Sequence, residues 1–140
     1  MTVEQWLKRA QFIEMELKTL NEMYQEELDK VTSITPKLSG MSSSGTKDPH
    51  KLDAFAQLSY EIDQQRNKLL AAKAEIIEVI NSLQDGRYRE ILSLRLIMGK
   101  RWEEIAKEIN YCEKHTQRMY KKAIKDITPE VMRRMSFYVP

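Results

Sequence analysis

The chain has 140 residues, of which 41% are hydrophobic and 31% are charged, and its formal net charge is +2. Four glycines and four prolines are too few for the tight turns of an all-β fold, and one cysteine excludes an intramolecular disulfide. No apolar run approaches the ~18 residues that a membrane helix needs, and no apolar signal segment follows the N-terminus. We therefore expect an all-α, cytoplasmic protein that does not enter the membrane.

The first predicted helix covers residues 2–33. Thr2 and Gln5 have the spacing of a capping box, in which each side chain bonds a free backbone N–H group of the first turn. Apolar residues then recur at alternating spacings of four and three, the heptad pattern of a helix that packs along another helix. They are Trp6, Ala10, Ile13, Leu17, Leu20 and Tyr24, and Val31 follows after the pattern fades at Glu27. Pro36 disfavours helical geometry just before it, so the helix should end near Ser33.

A Ser/Gly-rich loop is predicted over residues 35–47, and a second helix over residues 49–84. Asp48 is a favoured N-cap, and Pro49 suits the first helical position. The second helix also carries a heptad seam: Leu52, Phe55, Ser59, Ile62, Arg66, Leu69, Lys73, Ile76, Ile80 and Leu83. Residues 1–85 are thus predicted to form an antiparallel αα-hairpin or coiled coil. Because two helices alone have little core, we expect the hairpin to pack against a second copy, forming a homodimer, or against the C-terminal domain.

Charge divides the chain at the Asp85-Gly86 break. Residues 1–85 contain 10 basic and 14 acidic side chains, a net charge of −4. Residues 86–140 contain 13 basic and 7 acidic side chains, a net charge of +6. A basic C-terminal domain predicts a polyanionic partner, although an ordinary solvated basic face remains the alternative.

The C-terminal domain contains short amphipathic segments separated by abrupt breaks. Gly99 ends the first segment, and a short helix follows from Trp102, which we expect to fill the core. Asn110 tolerates the left-handed conformation that ends a helix. The next helix begins near Cys112, and its predicted inner face is Thr116, Met119, Ala123, Ile124 and Ile127. A short helix, a turn and a second helix with a basic outer face are typical of a helix-turn-helix. Thr128 and Pro129 predict the start of one more short helix, ending at Met135.

The stretch from Gly99 to Ile124 resembles the C-terminal helix-turn-helix of bacterial sigma factors, known as region 4. It is more similar to the sigma-like domains of ArpU/RinA-type late-transcription regulators of phages and prophages. The shared pattern is a Gly break, Trp102 before Glu-Glu-Ile-Ala, an aromatic residue, a small polar N-cap and a basic helix containing Lys-Lys-Ala. Two positions depart from it: Cys112 stands where Ser is usual, and Thr116 stands where a buried aliphatic residue is usual. The resemblance implies a DNA-binding transcriptional regulator of late genes in a bacterial host cell.

In a helix-turn-helix, the first turns of the second helix enter the major groove and reach base edges. Residues predicted to contact bases are Lys114, His115, Gln117, Arg118 and Lys121. Residues predicted to contact phosphate are Lys100, Arg101, Lys122 and Lys125. Double-stranded DNA is thus the expected partner, and the resemblance to sigma factors adds RNA polymerase as a candidate partner of the hairpin.

Two further functions are compatible with the sequence. The chain could be the DNA-recognition subunit of a phage packaging complex, similar to a small terminase, or a coiled-coil adaptor that acts on RNA polymerase. A dimer would favour regulation, and a ring of many subunits would favour packaging. Cys112 and His115 lack the second ligand pair that a zinc site needs, and no set of catalytic side chains converges. We expect no enzyme activity, no metal and no cofactor.

Overall fold

The computed structural model describes residues 1–34 and 49–136, with side chains described for residues 1–30 and 52–136. Over these residues the fold is all-helical and contains no strand, as the composition predicts. The elements are α1 (Val3–Ile34), α2 (Pro49–Asn81), α3 (Gly86–Leu92), a π-helical turn (Ser93–Ile97), α4 (Trp102–Ile109) and α5 (Glu113–Met135). The predicted loop over residues 35–47 and the predicted N-cap at Asp48 lie outside the described residues. None of the described helices is both long enough and apolar enough to span a membrane.

The predicted capping box at the start of α1 is confirmed. The Thr2 backbone N–H donates to Gln5 Oε1 at 2.9 Å, and the Gln5 backbone N–H donates to Thr2 Oγ1 at 3.2 Å. Two of the first-turn donors, which have no partner within the helix itself, are thereby satisfied. The beginning of α1 is therefore set by local sequence.

The described residues divide into two compact units. One contains Met1–Phe12 together with the chain from Leu69 onward, and the other contains the parts of α1 and α2 between Ile13 and Lys68. This division does not follow the expected boundary at residue 85. The first turns of α1 and the last turns of α2 belong to the same unit as α3, α4 and α5, which we call the C-terminal unit.

In the other unit, α1 and α2 run antiparallel. Gln65 Nε2 donates to Glu16 Oε2 at 3.2 Å, and the Tyr24 and Phe55 rings pack edge to face with centroids 5.6 Å apart. Ile62 is buried, whereas the remaining seam is only half-buried or exposed. Half-buried positions include Ile13, Leu17, Leu20, Tyr24 and Phe55, and the exposed ones are Leu52, Ser59 and Arg66. Two helices cannot enclose a dry core between them. The predicted seam residues therefore line the contact between α1 and α2, but most of them stay partly exposed to solvent.

The core of the C-terminal unit combines residues from the start, middle and end of the chain. Its fully buried side chains include Trp6 and Leu7 of α1, Ile76 of α2, Ile105 of α4 and Ile127 of α5. The Gln11 side-chain amide donates to the Arg95 carbonyl at 2.8 Å, which ties α1 to the π-helical turn. The helix-turn-helix is therefore part of a larger core than the residues after 85 supply.

The helix is interrupted at Asp85-Gly86, although the two compact units do not divide there. Asp85 is the N-cap of α3, and its side chain accepts from the backbone N–H groups of Arg87 at 2.9 Å and Tyr88 at 3.4 Å. The preceding helix, α2, ends at Asn81 rather than at the predicted residue 84. Its last turn tightens, because the Ser82 and Leu83 N–H groups bond carbonyls three residues back.

The predicted short helix from Thr128 to Met135 is wrong as a separate element, because α5 continues through Pro129 to Met135. An interior proline cannot donate to the carbonyl four residues back and costs about 3 kcal/mol relative to alanine. Burial compensates for this cost, since Ile127 and Val131 on either side of Pro129 are both in the core. The Thr128 hydroxyl also donates to the Ile124 carbonyl at 2.6 Å within the same helix. Packing therefore overrides the local signal for a new helix.

Candidate nucleic-acid interface

The turn between α4 and α5 is fixed by one left-handed residue. Asn110 has φ 62° and ψ 42°, the conformation predicted from its sequence position, and the next backbone N–H, that of Tyr111, bonds the Ala106 carbonyl at 3.1 Å. Cys112 then adopts extended geometry as the N-cap of α5. Its side chain forms no capping hydrogen bond. The helix, turn and helix expected between Trp102 and Ile127 are thus all present.

Aromatic packing joins α4 to α5. The Trp102 and Tyr120 rings lie edge to face with centroids 4.9 Å apart, and the Arg95 guanidinium lies 4.5 Å from the Trp102 ring centroid. Trp102 is half-buried between these two side chains, so the predicted core role is confirmed in part. Burial raises the pKa of the Tyr120 hydroxyl, and the nearby Glu4 carboxylate raises it further. The phenol is accordingly neutral at physiological pH.

The inner face of α5 differs slightly from the predicted one. Met119 and Ile124 are only half-buried, whereas Tyr120, absent from the prediction, is buried. The buried positions are Thr116, Tyr120, Ala123, Ile127 and Val131. Their spacings of four, three, four and four form a regular helical stripe, which is the signal that identifies Tyr120.

Thr116 is fully buried although it is polar. Its hydroxyl donates to the Cys112 carbonyl at 2.9 Å, one helical turn earlier. The threonine therefore leaves no unsatisfied hydroxyl donor in the core, and its methyl group remains available for packing.

The opposite face of α5 is exposed and basic. Every predicted base-contacting residue lies there in solvent: Lys114, His115, Gln117, Arg118 and Lys121. Lys122 and Lys125 are exposed as well. Within the part of the chain that the structure describes, none of the five Lys and Arg side chains on this face of α5 forms an ion pair; they are Lys114, Arg118, Lys121, Lys122 and Lys125. Their charges are therefore available to an anionic ligand.

Lys100 and Arg101, the other two predicted phosphate contacts, lie in a different environment. The Lys100 ammonium pairs with Glu108 of α4, and the Arg101 guanidinium contacts Glu104 at 3.2 Å and Glu103 at 3.9 Å. Both arrangements neutralise part of the positive charge before any ligand arrives. The structure thus separates unpaired cations on α5 from paired cations before α4.

An aromatic and cationic stack that the sequence did not predict lies beside this face. The Arg87 guanidinium lies 4.6 Å from the centroid of the Tyr111 ring. The Tyr111 and His115 rings have centroids 4.9 Å apart and an interplanar angle of 52°. Residues from α3, the turn and the first turn of α5 are therefore brought together.

The described residues contain no group of three or more His, Cys, Asp or Glu side chains that could hold a metal ion. Cys112 is a free, exposed thiol. In comparisons with known proteins, the chain matches no protein-family model, no curated protein and no solved structure. Geometry and charge are therefore the basis for a functional proposal, and the resemblance to sigma factors stays a prediction.

Proposed function

We propose that the protein is a sequence-specific, double-stranded DNA-binding regulator of transcription, in which α5 enters the major groove. The observation that carries this proposal is the two-sided character of α5. Its inner stripe is buried in the core, while its outer face holds the unpaired cations Lys114, Arg118, Lys121, Lys122 and Lys125. A rigid, basic, solvent-facing helix that follows a tight turn is the arrangement that helix-turn-helix proteins use to bind DNA.

Base recognition is assigned to the exposed residues of the first turns of α5. Arg118 has the planar fork that can bond bidentately to guanine, and the Gln117 amide has the donor and acceptor that suit adenine. Each such pair discriminates against a wrong base by roughly 1–3 kcal/mol. His115 and Lys114 precede them, and Lys121 lies one turn further along the same helix.

Phosphate contacts are assigned to Lys122 and Lys125, which lie further along α5, and to Lys100 and Arg101. Contacts of this kind position a protein on the duplex and release counterions, but they do not choose a sequence. Lys100 and Arg101 must exchange their glutamate partners for phosphate, so each should contribute less than an unpaired lysine of α5.

We further propose that the protein is phage- or prophage-encoded, that it activates late genes and that it dimerises through its N-terminal helices. Met15 and Met23, which are 68% and 46% exposed on α1, offer apolar surface for contact with a second copy. A dimer would bind two half-sites about one helical turn apart, or a multiple of that distance. RNA polymerase is the partner through which such a regulator would act.

Selection of binding sites from a random-sequence duplex pool tests the proposal. Wild-type protein should enrich a defined site, and Arg118→Ala should reduce the preference for that site over a mixed-sequence duplex by about tenfold or more. Lys125→Ala, which also removes one positive charge from α5, should weaken both duplexes by the same factor. Equal weakening of both duplexes by Arg118→Ala would contradict its base-reading role, and no duplex binding at all would contradict the function.

The mass of the protein in solution distinguishes the proposed regulator from the packaging alternative. Light scattering should give the mass of a dimer, with one dimer bound to each selected site. A ring of many subunits would instead match a DNA-recognition subunit of a packaging complex.

A further inference from the structure

The arginine at the start of α3 differs from the other arginines that stack on aromatic rings. Arg9 lies 4.2 Å from the Trp6 ring centroid and also pairs with Glu75. Arg95 lies over Trp102 and donates to the Lys100 carbonyl at 2.9 Å. Arg87 lies over Tyr111, but among the described residues its guanidinium has no hydrogen-bond acceptor or carboxylate partner.

Arg89, on the same helix as Arg87, has a structural role. The Arg89 guanidinium donates to the carbonyl of Leu83 at 2.7 Å and to that of Gln84 at 3.4 Å, and it thereby holds the segment between α2 and α3. Arg87 makes no comparable contact. A guanidinium that stacks on a ring keeps its in-plane N–H donors directed outward, which is the geometry for bidentate binding of a phosphate.

The position of Arg87 relative to α5 points to a phosphate of the bound duplex as its ligand. Tyr111 contacts both Arg87 and His115: the Arg87 guanidinium lies 4.6 Å from the Tyr111 ring centroid, and the His115 ring centroid lies 4.9 Å from it. Arg87 is thus less than about 10 Å from a residue proposed to enter the major groove, which is itself about 12 Å wide. A cation at that distance from a base-reading side chain can reach the sugar-phosphate edge of the groove.

We propose that Arg87 binds a DNA phosphate beside the bases that α5 contacts, and that Tyr111 positions both Arg87 and His115 for this purpose. This inference rests on the proposed function, because it names additional residues of the same DNA interface. Arg87 supplies affinity without sequence preference. Tyr111 contributes to sequence preference, since it limits the orientations that the His115 ring can adopt at the start of α5.

The salt dependence of binding tests the role of Arg87. Affinity for a mixed-sequence 30-base-pair duplex is measured by fluorescence anisotropy between about 50 and 300 mM salt. The plot of log affinity against log salt has a negative slope, and Arg87→Ala should make that slope less negative by about 0.9. It should also weaken binding on the order of tenfold at 100 mM salt. Arg87→Lys should keep the slope but restore only part of the affinity, because lysine cannot present a stacked planar fork.

Arg66→Ala is the matched control, since Arg66 is an exposed arginine of α2 outside the C-terminal unit. Its slope and affinity should equal those of the wild type. An Arg87→Ala slope equal to that of Arg66→Ala would overturn the proposal while leaving duplex binding intact. Failure of the wild type to bind any duplex would instead contradict the proposed function itself.

Tyr111 is tested on sequence preference, using the ratio of affinities for the selected site and the mixed-sequence duplex. Tyr111→Ala should reduce this ratio at least threefold, and Tyr111→Phe should restore it, because phenylalanine keeps the ring and loses only the hydroxyl. The side chain of Tyr111 is 40% exposed, so both variants should fold, which circular dichroism verifies. An unchanged ratio in Tyr111→Ala would overturn the positioning role.

Discussion

Glu130 on α5 accepts hydrogen bonds from two arginines of the same helix. Arg133 donates to it through Nη2 at 2.6 Å and Nε at 3.1 Å, and Arg134 donates through Nε at 3.2 Å. Arg134 also reaches Glu78 of α2 at 2.9 Å, so the group links the end of α5 to α2. Hydrogen bonds from Arg133 and then Arg134 hold the pKa of the Glu130 carboxyl at about 2, below its ordinary value of 4.5.

This lowered pKa predicts how stability depends on pH. A carboxyl whose pKa is lower in the folded state than in the unfolded state stabilises the fold above about pH 4.5. The contribution declines as the pH falls toward about 2, where the folded-state carboxyl becomes protonated. Glu130→Gln should therefore be less stable than the wild type at pH 7, and the difference should shrink between pH 4.5 and pH 2.

Urea denaturation at several pH values measures this difference. Glu22→Gln serves as the control, because it removes an exposed carboxylate from α1 of the other unit, and its effect should be smaller. A difference between Glu130→Gln and the wild type that stays constant from pH 7 to pH 3 would rule out the linkage.

At the scale of single residues, the sequence predicted the features that depend only on residues close by in the chain. The capping box at Thr2, the left-handed Asn110 and the N-cap at Asp85 all follow from local hydrogen bonding and backbone preference. The exposure of the basic face of α5 follows from helical periodicity. The contact between Arg87 and Tyr111 could not be predicted, because it depends on how α3 packs beside the turn.

At the scale of elements, α5 shows the limit of local signals. Thr128 and Pro129 have the sequence of a helix start, yet they lie inside a 23-residue helix. The π-helical turn at Ser93–Ile97 is a similar case, since no local residue type requires it, and Leu94 and Leu96 within it are buried. The conformation of both elements depends on packing in the core, and a sequence pattern does not specify which residues pack together there.

Replacement of Pro129 should therefore stabilise the protein. Pro129→Ala restores an N–H donor for the Lys125 carbonyl and removes a ring that crowds the preceding turn. We expect a gain of about 2 kcal/mol in the free energy of unfolding, which is the interior-proline penalty less the entropy that proline removes from the unfolded chain. Met132→Ala, an exposed change three residues later on α5, should shift stability by less than about 0.5 kcal/mol. Chemical denaturation measures both, and an unchanged or lower stability of Pro129→Ala would contradict the expectation.

At the scale of the whole molecule, the predicted boundary at residue 85 separates residues that share one core. Leu7 of α1 is fully buried, as are Ile76 and Val79 of α2, and all three belong to the same unit as α4 and α5. The heptad pattern identified Trp6 and Ala10, which are also buried, as apolar packing sites of α1, but it did not include Leu7. It could not assign them to a partner, because a helix with one apolar stripe is compatible with many neighbours.

The first turns of α1 should therefore be required for the fold of the C-terminal unit. Leu7→Ala should destabilise the protein by roughly 2–5 kcal/mol, since it removes a fully buried side chain and leaves a cavity. Met15→Ala, at a position 68% exposed on the same helix, should cost less than about 0.5 kcal/mol. Thermal and urea unfolding of the full chain measure both values.

A fragment of residues 86–140 provides the second part of this test. It contains the complete helix-turn-helix, but it lacks Leu7 and the buried residues of α2, so its remaining apolar side chains would face water. We expect its circular dichroism spectrum to show little helix and its duplex binding to be weak and non-specific. A folded fragment with the sequence preference of the full chain would show that α1 and α2 are dispensable for DNA recognition. The helical N-terminal half would then contribute only to assembly, and Leu7→Ala should leave the affinity for the selected site unchanged even where it lowers stability.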